Sequence, residues 1–328
     1  METRKIQKVG GSTFTVSVPK EWAREEGLET GEAVRLYTHR DGSLIVRGRQ
    51  TDGDGLESVS LPVTESSVDA VERPIQGAYE TGFEQITLRA TESFTDEQRR
   101  AARTIARRLV GTEVLAADAD EIVVRAMLDA SAVSVRQSIE QTVSVITTMQ
   151  ETVRESLTGE TETSGRVGDR MADVTRLVAL IRRHYNRSLV AFGELDALGI
   201  DRVALSQYHR AADRLEQIAT GIIRLDRVIE AVEPEAEQAR TVAELLTARR
   251  DALEAATKRV VEGDATAGQD VELSPIETGT EIASNSGHDD GVDPSLARLV
   301  DQLEQIDAAI RAIERIGLQS AIHPRHQQ

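Results

Sequence analysis

The 328-residue sequence contains no cysteine, which excludes disulfides, thiolate metal sites and cysteine nucleophiles. Lysine is almost absent: Lys5, Lys8, Lys20 and Lys258 are the only four among 39 basic side chains, and the rest are arginines. One Trp, four Tyr and four Phe are too few for a base-stacking platform. No apolar run approaches the ~18 residues of a membrane span, so no membrane insertion is expected. The opening METRKIQKVGG has no apolar h-region, so no signal peptide is expected and the chain reads as cytoplasmic. There is no GxxxxGK(S/T) loop, no HExxH, no GxSxG and no dinucleotide fingerprint, and no enzymatic role is expected. His184 and His209, on helical segments, read as packed or surface histidines.

What the sequence has in excess is acid, 56 Asp and Glu for a net charge of −17. Dense carboxylates with little lysine suit a cytoplasm at very high salt, where they keep a protein hydrated and their mutual repulsion is screened. The charge is unevenly placed. Residues 1–50 hold nine basic side chains (Arg4, Lys5, Lys8, Lys20, Arg24, Arg35, Arg40, Arg47, Arg49) against seven acids, so a net +2 leaves −19 for the remainder. A locally basic end in an acidic chain is where a polyanion site is sought.

Three blocks follow along the chain. In residues 1–50, RKIQKV and TFTVSV are β-rich runs split by Gly10-Gly11-Ser12. Pro19 opens a short helix that Gly27 stops, and EAVRLYTH and SLIVRG flank the hairpin dipeptide Asp41-Gly42. So small a strand-rich unit buries little core alone, which predicts a homodimer of intertwined copies. After a polar joint at 47–55, residues 56–128 alternate strand and helix and predict a small α+β domain; its helix 95–111 carries Arg99, Arg100, Arg103, Arg107 and Arg108. Residues 129–323 are helical, with apolar spacing over 131–158, 169–198, 201–230, 233–262 and 294–322. Residues 263–293 carry eight acids and no base and read as a flexible acidic loop. The fold class is thus mixed and mainly α.

The helical block contains a repeat. DRLEQIATGIIRLDRVI (213–229) aligns without gaps to DQLEQIDAAIRAIERIG (301–317). Leu215, Ile218, Ile222 and Leu225 fall on one helix stripe, as do Leu303, Ile306, Ile310 and Ile313, which predicts a bundle of two related units. Asp213 and Glu216 lie away from that stripe, a carboxylate cluster of the kind that holds a cation through oxygen or stands as a solvated face.

Two resemblances carry these readings further. Residues 3–48, through TVSVPKEWA, GLETGEAV and the closing hairpin, resemble the AbrB/MazE/SpoVT-like DNA-binding domain, which forms swapped-hairpin homodimers. The resemblance implies DNA contacts at Arg4, Lys5, Lys8, Ser12, Thr13, Lys20 and Arg24, the basic side chains on phosphates and arginine also able to read guanine. Most of 120–322 resembles PhoU, the phosphate-uptake regulator: VGDRMADVTRLVALIRRHYNRSLV looks like its second helix, and LEQIATGI and LEQIDAAI like its third helix in each repeat. That family carries a metal-binding ExxxD on each third helix. Here Thr220 and Ala308 replace the second acids, which reduces the expectation to a divalent or transition metal ion held weakly by Asp213, Glu216, Asp301 and Glu304. Together the resemblances imply a regulator of phosphate homeostasis that binds DNA as a dimer and negatively regulates phosphate uptake, with the phosphate ABC transporter or its signalling partners as further partners. The alternative is an interaction protein that inhibits the transporter and uses its first block only to dimerise.

Overall fold

The computed structural model describes residues 3–11, 13–38, 42–48, 53–159, 166–263 and 294–322. Ser12, Asp41 and the acidic stretch 264–293 lie outside the described residues. The chain divides into two compact units, Met1–Asp54 and Gly55–Gln328.

The first unit has two antiparallel hairpins, β1 (Gln7–Val9) with β2 (Thr13–Thr15) and β3 (Arg35–Thr38) with β4 (Leu44–Arg47), and one helix, α1 (Lys20–Glu25). Pro19 precedes the first turn of α1, where a missing N–H costs nothing. Gly48 alone among its described residues is buried. Phe14 (70% exposed), Leu36 (60%) and Leu44 (52%) face solvent. In the β3–β4 register Leu36 lies opposite Val46 and Tyr37 opposite Ile45. Opposed residues share a face, so this hairpin is apolar on both sides.

The second unit begins with a four-stranded sheet of order β5-β6-β8-β7, from Ser58–Val63, Gln85–Ala90, Glu121–Ala126 and Thr112–Ala117. β5 and β6 are parallel and joined through α2 (Asp69–Thr81); the other pairs are antiparallel. α3 (Asp96–Arg108) starts on a capping box in which Thr95 and Gln98 bond each other's backbone, and the buried Gln98 side chain also donates to the Glu65 and Ser67 carbonyls. Ile86, Leu88, Ile122 and Val124 form the buried face of the sheet, in one core with Val71, Ile75 and Tyr79 of α2 and Ala102 and Ile105 of α3. Arg100, Arg103, Arg107 and Arg108 of α3 are exposed.

The bundle comprises α4 (Val135–Thr158), a short α5 (Arg166–Asp169), α6 (Met171–Val190), a short α7 (Gly193–Leu198), α8 (Arg202–Val232), α9 (Ala236–Glu262) and α10 (Pro294–Ile322). Gly159 and Gly199 end their helices at φ 72° and 67°, where a side chain would be strained. The repeat helices α8 and α10 pack together. Both predicted stripes are buried, with Leu215, Ile218, Ile222, Leu225, Leu303, Ile306, Ile310 and Ile313 at 1% exposure or less. Arg210 donates to Gln319, and a Cβ on Gly221 would lie 2.9 Å from Ile306 Cγ1. The two helices therefore run antiparallel, and Gly221 sets how closely they approach.

The single helix expected over 169–198 is instead broken. α6 stops where Ala191 turns extended (φ −105°, ψ 111°), and the chain resumes as α7. The break returns Glu194 to the end of α6: its Oε1 lies 2.6 Å from His184 Nδ1, and its Oε2 accepts from Arg187 Nε at 3.1 Å. Burial pushes the Glu194 carboxyl up, but the His184 hydrogen bond and the Arg187 guanidinium outweigh it and hold the group below the usual carboxylate range.

α6 also closes the end of α2. Arg183 Nη1 donates to the Tyr79 and Phe83 carbonyls at 3.0 and 2.8 Å, Asn186 Nδ2 to the Glu80 carbonyl at 2.9 Å, and Arg187 Nη1 to the Gly82 carbonyl at 2.8 Å. The Tyr79 carbonyl also accepts from the Gly82 N–H at 3.0 Å, and Gly82 and Phe83 lie just past the helix, where cations suit the negative end of its dipole. The Arg183 guanidinium lies 4.9 Å from the centre of the Tyr79 ring. Gly82 permits the approach, since a Cβ there would meet Arg187 Cγ at 2.5 Å. The sheet layer and the bundle are thus one body.

A buried ion pair ties α9 to α10. Arg249 Nη2 donates to Asp307 Oδ2 at 2.9 Å, Nε lies 2.9 Å from Oδ1, and both residues are 1% exposed. Asp307→Leu should strand the buried guanidinium and cost about 3–5 kcal/mol, whereas Arg249→Met with Asp307→Leu should recover most of that loss. Denaturant unfolding of the two variants checks this.

Candidate functional site

The first candidate site is the basic side chains of the N-terminal unit. Arg4, Lys5, Lys8, Lys20 and Arg24 are all exposed. Lys8 stands in β1 opposite Phe14, and Lys20 and Arg24 one turn apart on α1. Despite Glu21, Glu25 and Glu26 beside them in sequence, Lys5, Lys8, Lys20 and Arg24 pair with no carboxylate among the described residues. Thr13 opens β2 opposite Val9, also exposed. Such cations suit phosphate contacts, which position a protein on a duplex without reading its sequence.

The second candidate is an open cleft of about 910 Å³ between α6, α8 and α10. Arg182 of α6 reaches across to α8. Its Nε and Nη2 donate to Asp213 Oδ1 at 3.0 and 2.7 Å, Nη2 donates to Glu216 Oε2 at 2.7 Å, and Nη1 lies 3.8 Å from Glu80 Oε1. Two of the four carboxylates expected to hold a cation are therefore satisfied by a guanidinium. Asp301 accepts from Gln305 Nε2 at 2.9 Å, and Glu304 is exposed. Asp307, three residues on, faces the interior on Arg249. Among the described residues no group of three or more His, Asp or Glu converges on a metal position. This donor set does not fit a metal ion, since the oxygens of its closest pair are already taken up by a guanidinium.

Thr220 and Ala308 both line the cleft. Thr220 turns its hydroxyl back to the Glu216 carbonyl at 2.9 Å. His209 also lines it, stacked on Tyr185 with ring centres 4.0 Å apart. Burial lowers the His209 pKa; Asp213 opposes this and Arg182 adds to it. Arg182, Arg214, Arg224 and Arg315 were not marked by sequence. In an arginine-rich helical block no local signal separates a cleft arginine from a solvated one.

Residues 7–53 match a family model described as antidote-toxin recognition MazE, bacterial antitoxin. This identifies the N-terminal unit as a MazE/AbrB-type domain, typically DNA-binding, ahead of a large helical region. Neither the curated proteins nor the solved structures gave a match. No described helix is long and apolar enough to cross a membrane.

The cleft electrostatics make a signed prediction. Arg182→Met keeps the stem but removes the cation, so the His209 pKa should rise; Asp213→Asn should lower it further. Proton NMR titration of the His209 ring measures both.

Proposed function

We propose that this protein is a cytoplasmic, non-catalytic regulator of phosphate homeostasis. Two N-terminal units, one from each of two chains, bind DNA, and the helical unit senses or transmits phosphate status and restrains phosphate uptake. The observation that carries the DNA-binding half is the MazE-type match over residues 7–53 together with the exposed Lys5, Lys8, Lys20 and Arg24, which pair with no carboxylate among the described residues. Dimerisation is supported by the hairpin that is apolar on both faces, with Leu36 and Leu44 exposed. A hairpin with one wet face needs cover on one side only; this one needs cover on two.

The phosphate half rests on the likeness of residues 167–190 and of the two LEQI helices to PhoU, and on the packing of those two repeat helices against each other. The phosphate ABC transporter or its signalling partners would be the other party. The acidic composition suits a cytoplasm at high salt, and this constrains the DNA contact. Counterion release weakens phosphate contacts steeply as salt rises. Sequence-dependent binding there draws on base contacts, on DNA shape and on the avidity of two linked units. Regulation requires that the effector bind the DNA-competent and incompetent states with different affinity.

Fluorescence anisotropy of the full chain on a promoter fragment of a phosphate-transport operon, at about 2 M KCl and below, tests the reading. Binding should exceed that to a scrambled fragment and weaken in Lys8→Ala and Arg24→Ala, with the log–log salt slope falling by roughly 0.9 for each phosphate contact removed. Equal binding to both fragments, untouched by either substitution, would leave the N-terminal unit as a dimerisation module and move the function to the transporter.

A further inference from the structure

The cleft between α6, α8 and α10 is cationic in a chain of net charge −17. Arg182, Arg214, Arg224 and Arg315 line it against two acids, Asp213 and Glu216, for a net +2. The two acids are committed to Arg182. Arg214 donates to Gln217, a neutral partner. Arg224 and Arg315, exposed on α8 and α10, meet no carboxylate among the described residues. Between these cations the lining is small and neutral: Thr220, Gly221, Ala308, Ala309 and Ala312. Exposed arginines elsewhere, such as Arg100 and Arg103 of α3, also meet no carboxylate among the described residues. What sets Arg224 and Arg315 apart is that they line, with Arg182 and Arg214, one concave surface of ligand size.

From this arrangement we infer that the cleft binds a small anion carrying several phosphoryl groups in a row, gripped by Arg315 and Arg214 toward one end and by Arg224 toward the other. Guanidinium forks match phosphoryl oxygens two at a time. Arg214 and Arg224 are ten residues apart on one helix, about 15 Å along its axis, so the cations are strung along the cleft. A single tetrahedral anion meets one of them and leaves most of the volume to water. An acidic peptide fits less well, because an extended chain turns successive side chains to opposite faces and brings one carboxylate about every 7 Å to a given side. A phosphoryl chain presents charge along its whole length and reaches several guanidinium groups at once. Asp213 and Glu216 oppose it only in part, because Arg182, bonded to both, offsets one of their two charges. The inference deepens the regulatory reading by giving the helical unit a site and a ligand class.

Isothermal titration of the full-length protein with inorganic tripolyphosphate, over a series of KCl concentrations, tests the assignment. One tripolyphosphate per chain should bind, with affinity falling as KCl rises. Arg224→Gln and Arg315→Gln should each weaken binding about tenfold or more, the loss of one charge-assisted contact. Both residues are exposed, so their unfolding temperatures should stay at the parent value. Arg227→Gln, exposed on α8 but outside the cleft, should bind as the parent does. ATP in place of tripolyphosphate separates the sources: tighter binding assigns a nucleotide, equal binding the phosphoryl chain alone. Orthophosphate or a poly-glutamate peptide binding as tightly as tripolyphosphate would overturn the inference. So would tripolyphosphate binding unchanged in both variants, or no saturable binding at any salt. The titration contains no DNA, so failure of the DNA reading leaves its result intact, and the reverse holds.

Discussion

The second unit depends on one contact: the last turn of α6 against the last carbonyls of α2. Arg183, Asn186 and Arg187 donate to four backbone oxygens at and just past the end of α2, and the Arg183 guanidinium lies against the Tyr79 ring. A buried carbonyl without a partner costs of order 1–3 kcal/mol, so these donors offset much of the cost of burying this end. Because α6 supplies the donors, a four-stranded sheet with two helices becomes one wall of the bundle. The neighbouring Arg182, one residue earlier on α6, spans from near Glu80 of α2 to Asp213 and Glu216 of α8. Two adjacent arginines thus connect the sheet layer to the cleft.

The N-terminal unit obeys the opposite constraint. It has almost nothing buried, and apolar side chains on both faces of a hairpin of two four-residue strands. A MazE/AbrB-type domain suggests dimerisation, and a second copy would supply matching surface. Among the described residues the same unit leaves its lysines without carboxylate partners, in a chain where acids outnumber bases by 56 to 39. Sparse lysine, placed three times in the first twenty positions, points to one polyanion-facing end. The arginine cleft is a second departure from the acidic background.

Much of the architecture was legible because it is local. Strand runs, the Pro19 start of α1, the Gly159 and Gly199 stops and the Leu215/Ile218/Ile222/Leu225 stripe are patterns within a few residues of themselves. The LEQI identity between 213–229 and 301–317 marked the two helices as related copies with one buried stripe each; that they pack on each other is seen in the structure. What the sequence did not disclose is long-range and polar. Arg183 meets Tyr79 across 104 residues, Arg249 meets Asp307 across 58, and Arg182 meets Asp213 across 31. Helical periodicity separates inside from outside but does not name the partner of a charge. Asp213 and Glu216 were rightly placed off the apolar stripe, yet as an open cation site rather than as the seat of a guanidinium. The break at Ala191 escaped for the same reason. Its benefit, Glu194 returning to His184 and Arg187, is tertiary, and nothing between 169 and 198 but a lone Gly193 hints at it.

The central claim is that the N-terminal unit is completed by a second copy, since the DNA-binding reading needs a folded pair. Light scattering on the full-length protein at high salt tests it most directly. The account predicts twice the mass of one chain, reduced to a single chain mass in the double variant Leu36→Lys/Leu44→Lys while the helical signal in circular dichroism persists. A single chain mass for the unaltered protein, or a dimer indifferent to both substitutions, would contradict it.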